Sequence, residues 1–399
     1  MKKLVIATGI VVALALLSTL LLRTELRRAS FALSLFSGEE QYQNFNRVAE
    51  LFPTSTMTPA PAPYEFPTGE AAPLPESFDY AGVRVDVEAF LAETDTSALL
   101  VLHDGALVYE RYLLTGGRAV NWLSMSVAKS FISAGIGIAA DQGLLDIERS
   151  ISSYVPALAG SAYDGVRVKD VLQMSSGAAW DETYSDLNSD VNRLGRVMAL
   201  GGSTTEFVAD MTREYEPGTV NRYNSGDTQA LGILLRTVTG TSITAFLERN
   251  LWHPLGMESP GYWIIDSEGV EMAFFGLNAT ARDYAKLGEL YRNQGNWGGR
   301  QIVAERWVNA SVTADGPHLQ PGLDEDFPLG YGYQWWLPES KEGEYLAIGV
   351  YNQFIYVNPA RDVVIVKLSA FSDYATSDAE EAWREIETIA FFRQVAESL

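Results

Sequence analysis

What most constrains the fold is where the strand signals lie, at the two ends of the chain with helical signals between. Residues 97–103 and 106–112 are apolar runs joined by Asp104-Gly105, a dipeptide that favours a tight hairpin turn. Strand patterning returns only at 331–336, 344–350, 354–357 and 363–368. Between them, residues 126–142, 168–174, 205–211, 226–239, 243–251 and 281–293 carry helical patterning. A last amphipathic helix is predicted over 378–396. This order predicts an α/β (α+β) fold, one sheet built from distant segments, with a mostly helical insertion at about 151–270.

Ahead of these signals the chain has a different character. Residues 4–22 are uncharged and mostly apolar, preceded by Lys2 and Lys3 and followed by Arg23, Arg27 and Arg28. At about 1.5 Å per residue such a helix approaches the roughly 30 Å of a bilayer core. The A-x-A of a cleavage site, Ala13 and Ala15, lies inside the run rather than after it. The expectation is a membrane anchor within residues 1–28, holding the rest of the chain in the periplasm or outside the cell; secretion after signal cleavage is the alternative. Residues 29–75 are expected to be a juxtamembrane segment and linker. Seven of the sixteen prolines fall between positions 53 and 75, the composition of a semi-rigid spacer. The globular part is then residues 76–399.

Charge and residue usage exclude several functions. A net charge of −22 with only seven lysines leaves no basic surface for nucleic acid. The chain has no cysteine, so disulfides, thiolate metal sites and a cysteine nucleophile are excluded. The three histidines, His103, His253 and His318, belong to no H-E-x-x-H, and no G-x-S-x-G occurs. No metal or cofactor is expected, and the partner is a small molecule. Gly135-Ile136-Gly137 partly mimics a dinucleotide fingerprint but sits inside a predicted helix, where glycines permit close packing.

Ser126-Val127-Ala128-Lys129 opens the first long predicted helix. Residues three apart on a helix share a face, so the Lys129 amine can reach the Ser126 hydroxyl. The first helical turn also presents unpaired N–H groups that favour developing negative charge. Lysine becomes a base only where burial lowers its pKa, and the apolar sequence from Phe131 to Ala140 can bury it. By itself S-x-x-K is a weak signal, since a helix N-cap serine beside a solvated lysine looks the same.

Tyr223-Asn224-Ser225, about a hundred residues later and just before another helix, supplies the context. With Ser124–Ser130, Met174-Ser175-Ser176-Gly177, Pro254-Leu255-Gly256-Met257, Thr280–Gly288 and Tyr331–Trp336, it resembles the serine β-lactamase and penicillin-binding superfamily. The similarity is greatest to the class C-like branch of 6-aminohexanoate-dimer hydrolases and family VIII esterases, and it spans about residues 76–396. It implies a central antiparallel sheet flanked by helices. It also implies a serine hydrolase working through an acyl-enzyme on Ser126, with Lys129 and Tyr223 moving the proton and either able to serve as base. Ser225 would support Lys129, and the Val350 N–H would be the second oxyanion donor. Trp180, Asp181, Tyr184 and Tyr351 are expected to line the substrate cleft.

The third motif departs from the family pattern. Where β-lactamases carry Lys-Thr-Gly or His-Thr-Gly, residues 347–353 read Ala-Ile-Gly-Val-Tyr-Asn-Gln, with no cation. Small esters or linear amides are therefore expected as substrates, rather than β-lactams or D-alanyl peptides. D-Alanyl peptidase or β-lactamase activity is the alternative among enzymes. A penicillin-binding sensor or an inactive scaffold is the alternative outside them.

Overall fold

The computed structural model describes residues 52–374 and 382–399 continuously, residues 41–50, and single positions before Gln41 that include Leu35 and Phe36. Its centre is a seven-stranded antiparallel sheet. In chain order the strands are β1 (Thr96–His103), β2 (Ala106–Tyr112), β3 (Leu329–Tyr331), β4 (Trp336–Pro338), β5 (Tyr345–Gly349), β6 (Gln353–Asn358) and β7 (Val363–Ser369). Across the sheet they run β3-β4-β5-β6-β7-β1-β2. The amino-terminal hairpin thus docks on the carboxy-terminal strand, with Val363–Lys367 paired against His103–Leu99. Asp104 and Gly105 take positive φ (+48° and +73°), as a tight turn needs.

Strands β1, β6 and β7 are buried throughout or nearly so, because helices cover both faces. On one face lie Val87–Glu93 and α4 (Glu385–Glu397), packing Phe90, Phe391 and Phe392 against Leu99, Phe354 and Tyr356. On the other lie α1 (Ala128–Asp141), α2 (Ser225–Thr239) and α3 (Ala281–Arg292). Gly288 brings α3 directly onto the sheet, since a Cβ there would stand 2.6 Å from Val364 and 2.8 Å from Ile355. Gly137 on α1 similarly admits the ring of Trp307, in keeping with a packing role rather than a nucleotide site.

Three expectations need correction. The run 331–336 is two short strands, β3 and β4, with Gly332–Gln334 turning between them. Residues 53–75 are no free spacer. Thr54–Met57 pairs with Gly261–Ile264, in a second sheet completed by Leu277–Ala279 and Trp122–Leu123. The chain then binds onward through Ala60 N to Met257 O, Tyr64 N to Gly256 O and Gly69 N to Leu107 O. Proline spacing signals extended backbone, and here that backbone finds partners. Residues 41–50 and Phe52 are also docked, burying Phe45, Val48 and Phe52. The apolar run 4–22 falls largely outside the described residues. Among the described residues no single helix is long and apolar enough to cross a membrane.

Candidate active site

Ser126 is presented by a sharp change of chain direction. Trp122–Leu123 pairs with Leu277–Ala279, and Ser124 N still donates to Leu277 O. Met125 then adopts φ +47°, a left-handed conformation costly for a side-chain-bearing residue. A 3-10 turn over Met125–Val127 follows, and α1 begins only at Ala128. Ser126 therefore precedes the α-helix rather than opening it, and the three-residue spacing to Lys129 spans the junction. The Lys129 amine lies 2.7 Å from Ser126 Oγ, 3.0 Å from Ser225 Oγ and 3.1 Å from the Phe274 carbonyl. It is 2% exposed, and the loss of hydration lowers its pKa to about 8. Among its neighbours Glu182 acts in the opposite sense, favouring the ammonium.

Tyr223 ends the loop before α2 and faces the same lysine, its ring centroid 4.8 Å from the amine. That loop is lashed to the Met174–Ser176 stretch through Arg222 N to Met174 O and Gly218 N to Ser175 O. Burial, then Tyr331 and Glu182, push the Tyr223 phenol well above its ordinary pKa, and hydrogen bonding to Ser126 only partly opposes them. Asn224 caps α2 by accepting from Asp227 N, which leaves Ser225 at the helix's first position beside Lys129.

These groups open into a cavity of about 400 Å³. Its lining is largely aromatic, from Tyr184, Tyr223, Phe327, Trp336, Tyr374 and Trp383, and carries two carboxylates, Glu182 and Glu385, with no Lys, Arg or His among the described residues. Tyr223 stacks on Trp336 with ring centroids 5.1 Å apart, and Phe327 bridges from Trp336 to Trp383. Val350 lines the cavity at the end of β5. There Gly349 allows the strand to approach the Ser126 backbone, its Cβ position being 3.0 Å from Ser126 N. Arg361 pairs with Glu342, and Lys367 is fully buried with its amine on Ser369 Oγ, so neither reaches the cavity. No group of three or more potential metal ligands exists among the described residues.

The residues expected to line the cleft divide. Tyr184 does so. Trp180 stands behind it, its indole N–H donating to Glu182. Asp181 is exposed and caps Thr183 N. Tyr351 lies behind the wall, stacked on Phe36 and packed against Phe45 and Tyr374. The carboxylate that matters in this loop is Glu182, which accepts from Tyr184 OH at 2.8 Å, Ser225 OH at 2.7 Å and Ser225 N at 3.0 Å. No local pattern marks it, since residues 179–183 belong to no helix or strand and Tyr184 opens a turn.

A serine and a buried lysine thus stand in hydrogen-bond contact, opening on an aromatic cleft beside an antiparallel sheet. The Beta-lactamase family model matches residues 86–390, and the chain belongs to that family. It is 32% identical over 342 residues to the 6-aminohexanoate-dimer hydrolase of Paenarthrobacter ureafaciens, covering 82% of this chain and 85% of that protein. The fold is shared with a Bacillus anthracis protein assigned as a 6-aminohexanoate-dimer hydrolase (TM-score 0.80, 23% identity, covering 91% of this chain and 96% of that one). It is shared also with EstCE1, a hydrolase with promiscuous acyltransferase activity (TM-score 0.61, 16% identity, covering 77% and 96%). The chain is a serine hydrolase of the esterase or amidase type.

Proposed function

We propose that Ser126 is the nucleophile, Lys129 its base and Tyr223 the relay to the leaving group, acting on small esters or linear amides. The observation that carries this is the 2.7 Å contact between a desolvated lysine and Ser126, at the floor of a cavity whose lining, among the described residues, holds no Lys, Arg or His. Ser126 Oγ attacks the carbonyl carbon as its proton passes to the Lys129 amine. The tetrahedral oxyanion is held by the N–H groups of Ser126 and Val350. Tyr223 then delivers the proton to the departing oxygen or nitrogen as its bond to carbon breaks. Water repeats the sequence on the acyl-enzyme, releasing the acid and restoring Ser126. Lys129 is preferred to Tyr223 as base because burial brings the amine's pKa towards neutrality and drives the phenol's away from it. A linear amide is also the substrate class that the name of the Paenarthrobacter relative suggests.

The test is fluorophosphonate labelling with peptide mapping, followed by turnover of a nitrophenyl ester, aminohexanoate dimer and nitrocefin. We expect label on Ser126, none in Ser126→Ala, and nitrocefin well behind the ester. A carboxylate-holding cation is worth about 1.5–3 kcal/mol, so its absence costs roughly 10- to 150-fold in kcat/KM. Label elsewhere would overturn the nucleophile; efficient nitrocefin cleavage would overturn the substrate class. The apolar run 4–22 is proposed as an anchor that keeps the catalytic part on the outer side of the cytoplasmic membrane. Intact-mass measurement of membrane-extracted protein checks it, and a mature N-terminus beyond Leu22 would exclude it.

A further inference from the structure

Among the described residues Lys129 has three hydrogen-bond partners, and only one of them should receive its lone pair. Phe274 contributes a carbonyl, which can only accept. Ser225 contributes a hydroxyl, which could accept from the ammonium or donate to the neutral amine. What decides between them is Glu182, whose two oxygens collect the donors around them. Oε1 takes the hydroxyls of Tyr184 and Ser225, and Oε2 takes the Ser225 amide and the Trp180 indole. An ionised carboxylate accepts only, so the single Ser225 hydroxyl proton lies on the bond to Glu182. Ser225 therefore faces Lys129 with lone pairs alone.

We propose that Glu182 is a positioning residue which, by holding the Ser225 proton, leaves Ser126 as the only hydroxyl able to donate to the neutral Lys129 amine. When the ammonium loses a proton, its remaining two N–H groups stay on Ser225 Oγ and Phe274 O, and the lone pair is directed at Ser126. The Ser126 proton then has one route, to Lys129 Nζ, as Oγ forms its bond to the substrate carbonyl. This rests on the Ser126–Lys129 reading above and assigns a role to a residue that never touches the reacting atoms.

Glu182→Gln tests the idea because it keeps the shape and reverses the donor pattern. With its oxygen on the Ser225 amide and Trp180 indole, the new amide NH₂ faces Ser225 Oγ and Tyr184. The Ser225 hydroxyl is then released to donate to Lys129, in competition with Ser126. We expect E182Q to lower kcat/KM for a nitrophenyl ester by about 100-fold, the loss falling in kcat. Ser225→Ala, which removes the competing hydroxyl altogether, should cost only about 10-fold. The double variant E182Q/S225A should then recover to the level of S225A, a reversal that loss of structure would not give.

A second readout is the pH profile. The titratable groups facing Lys129 are Glu182 on its loop and Tyr223 before α2, with Tyr184, Tyr374 and Glu385 on the cavity wall. Glu182 is the charge that favours the ammonium, so E182Q should move the rising limb of activity to lower pH. Where E182Q folds only in part, the rate at which the folded fraction is phosphonylated at Ser126 carries the same comparison. Parental activity in E182Q, or a loss that S225A does not relieve, overturns the proposal. Failure of the parent enzyme itself to label at Ser126 would instead remove the reading beneath it.

Discussion

The Lys129 ammonium is enclosed on every side and gives up most of its hydration, which is why its proton is held less tightly than that of a surface lysine. The sign of the consequence follows directly. Below about pH 8 the amine is protonated and cannot take the Ser126 proton; above it the amine is free. Hydrolysis of a neutral ester should therefore rise with pH and level off above about pH 8, measured as kcat/KM in buffers of constant ionic strength. A profile flat from pH 6 to 9 would mean that another group serves as base. Stability responds to the same group over a different window. The unfolded lysine titrates near 10.5, so the cost of burying the charge is present in full below about pH 8 and is relieved as pH climbs towards 10.5. That Ser126, Lys129 and Tyr223 come together in space was legible in the sequence because each stands in a short motif. Glu385 and Trp336 were not, because nothing local marks a residue that a distant helix or strand carries to the cavity wall.

At the scale of elements, the turn between β5 and β6 does more than reverse the chain. Tyr351 and Asn352 both hold positive φ (+64° and +66°) within the three-residue connection 350–352 that joins the paired Gly349 and Gln353, here made without glycine. Asn352 is fully buried, donating to Trp383 O at 2.7 Å and accepting from Thr388 Oγ1 at 2.9 Å. It thereby fixes the segment that brings Trp383 and Glu385 to the cavity. Asn352→Ala should cost about 1–3 kcal/mol, since the Trp383 carbonyl loses its partner while Thr388 Oγ1 still donates to Arg384 O. It should also raise KM for bulky acyl groups more than it lowers kcat, as the Trp383 wall loosens. Equal effects on small and bulky substrates would separate the turn from the wall. The β1–β2 hairpin was readable from Asp104-Gly105, and α1 to α3 from their period. The small sheet of Thr54–Met57, Gly261–Ile264, Leu277–Ala279 and Trp122–Leu123 was not. Its strands have four residues or fewer, too short to establish an alternation, and their partners are far apart in the chain.

For the molecule as a whole, the amino-terminal stretch belongs to the fold. Gln41 donates to the carbonyls of Ala370 and Phe371, and Phe45 packs on both Trp122 and Tyr351. Tyr351 in turn supports Tyr374 on the cavity wall. Removing residues 1–34 should leave the melting temperature and esterase rate unchanged. Removing 1–52 should lower both, because burying each of Phe45 and Phe52 contributes about 1.5–3 kcal/mol. Equal melting of the two truncations would show that the docked stretch contributes nothing. The consequence is one of distance. Had the chain been free up to Glu76, an anchor ending at Leu22 would let the catalytic body range as far as about 190 Å from the lipid. With the chain already held at Leu35, the same anchor restricts it to about 45 Å. The enzyme would then sample a thin layer against the bilayer instead of the open compartment, and molecules that concentrate in that layer would reach Ser126 first.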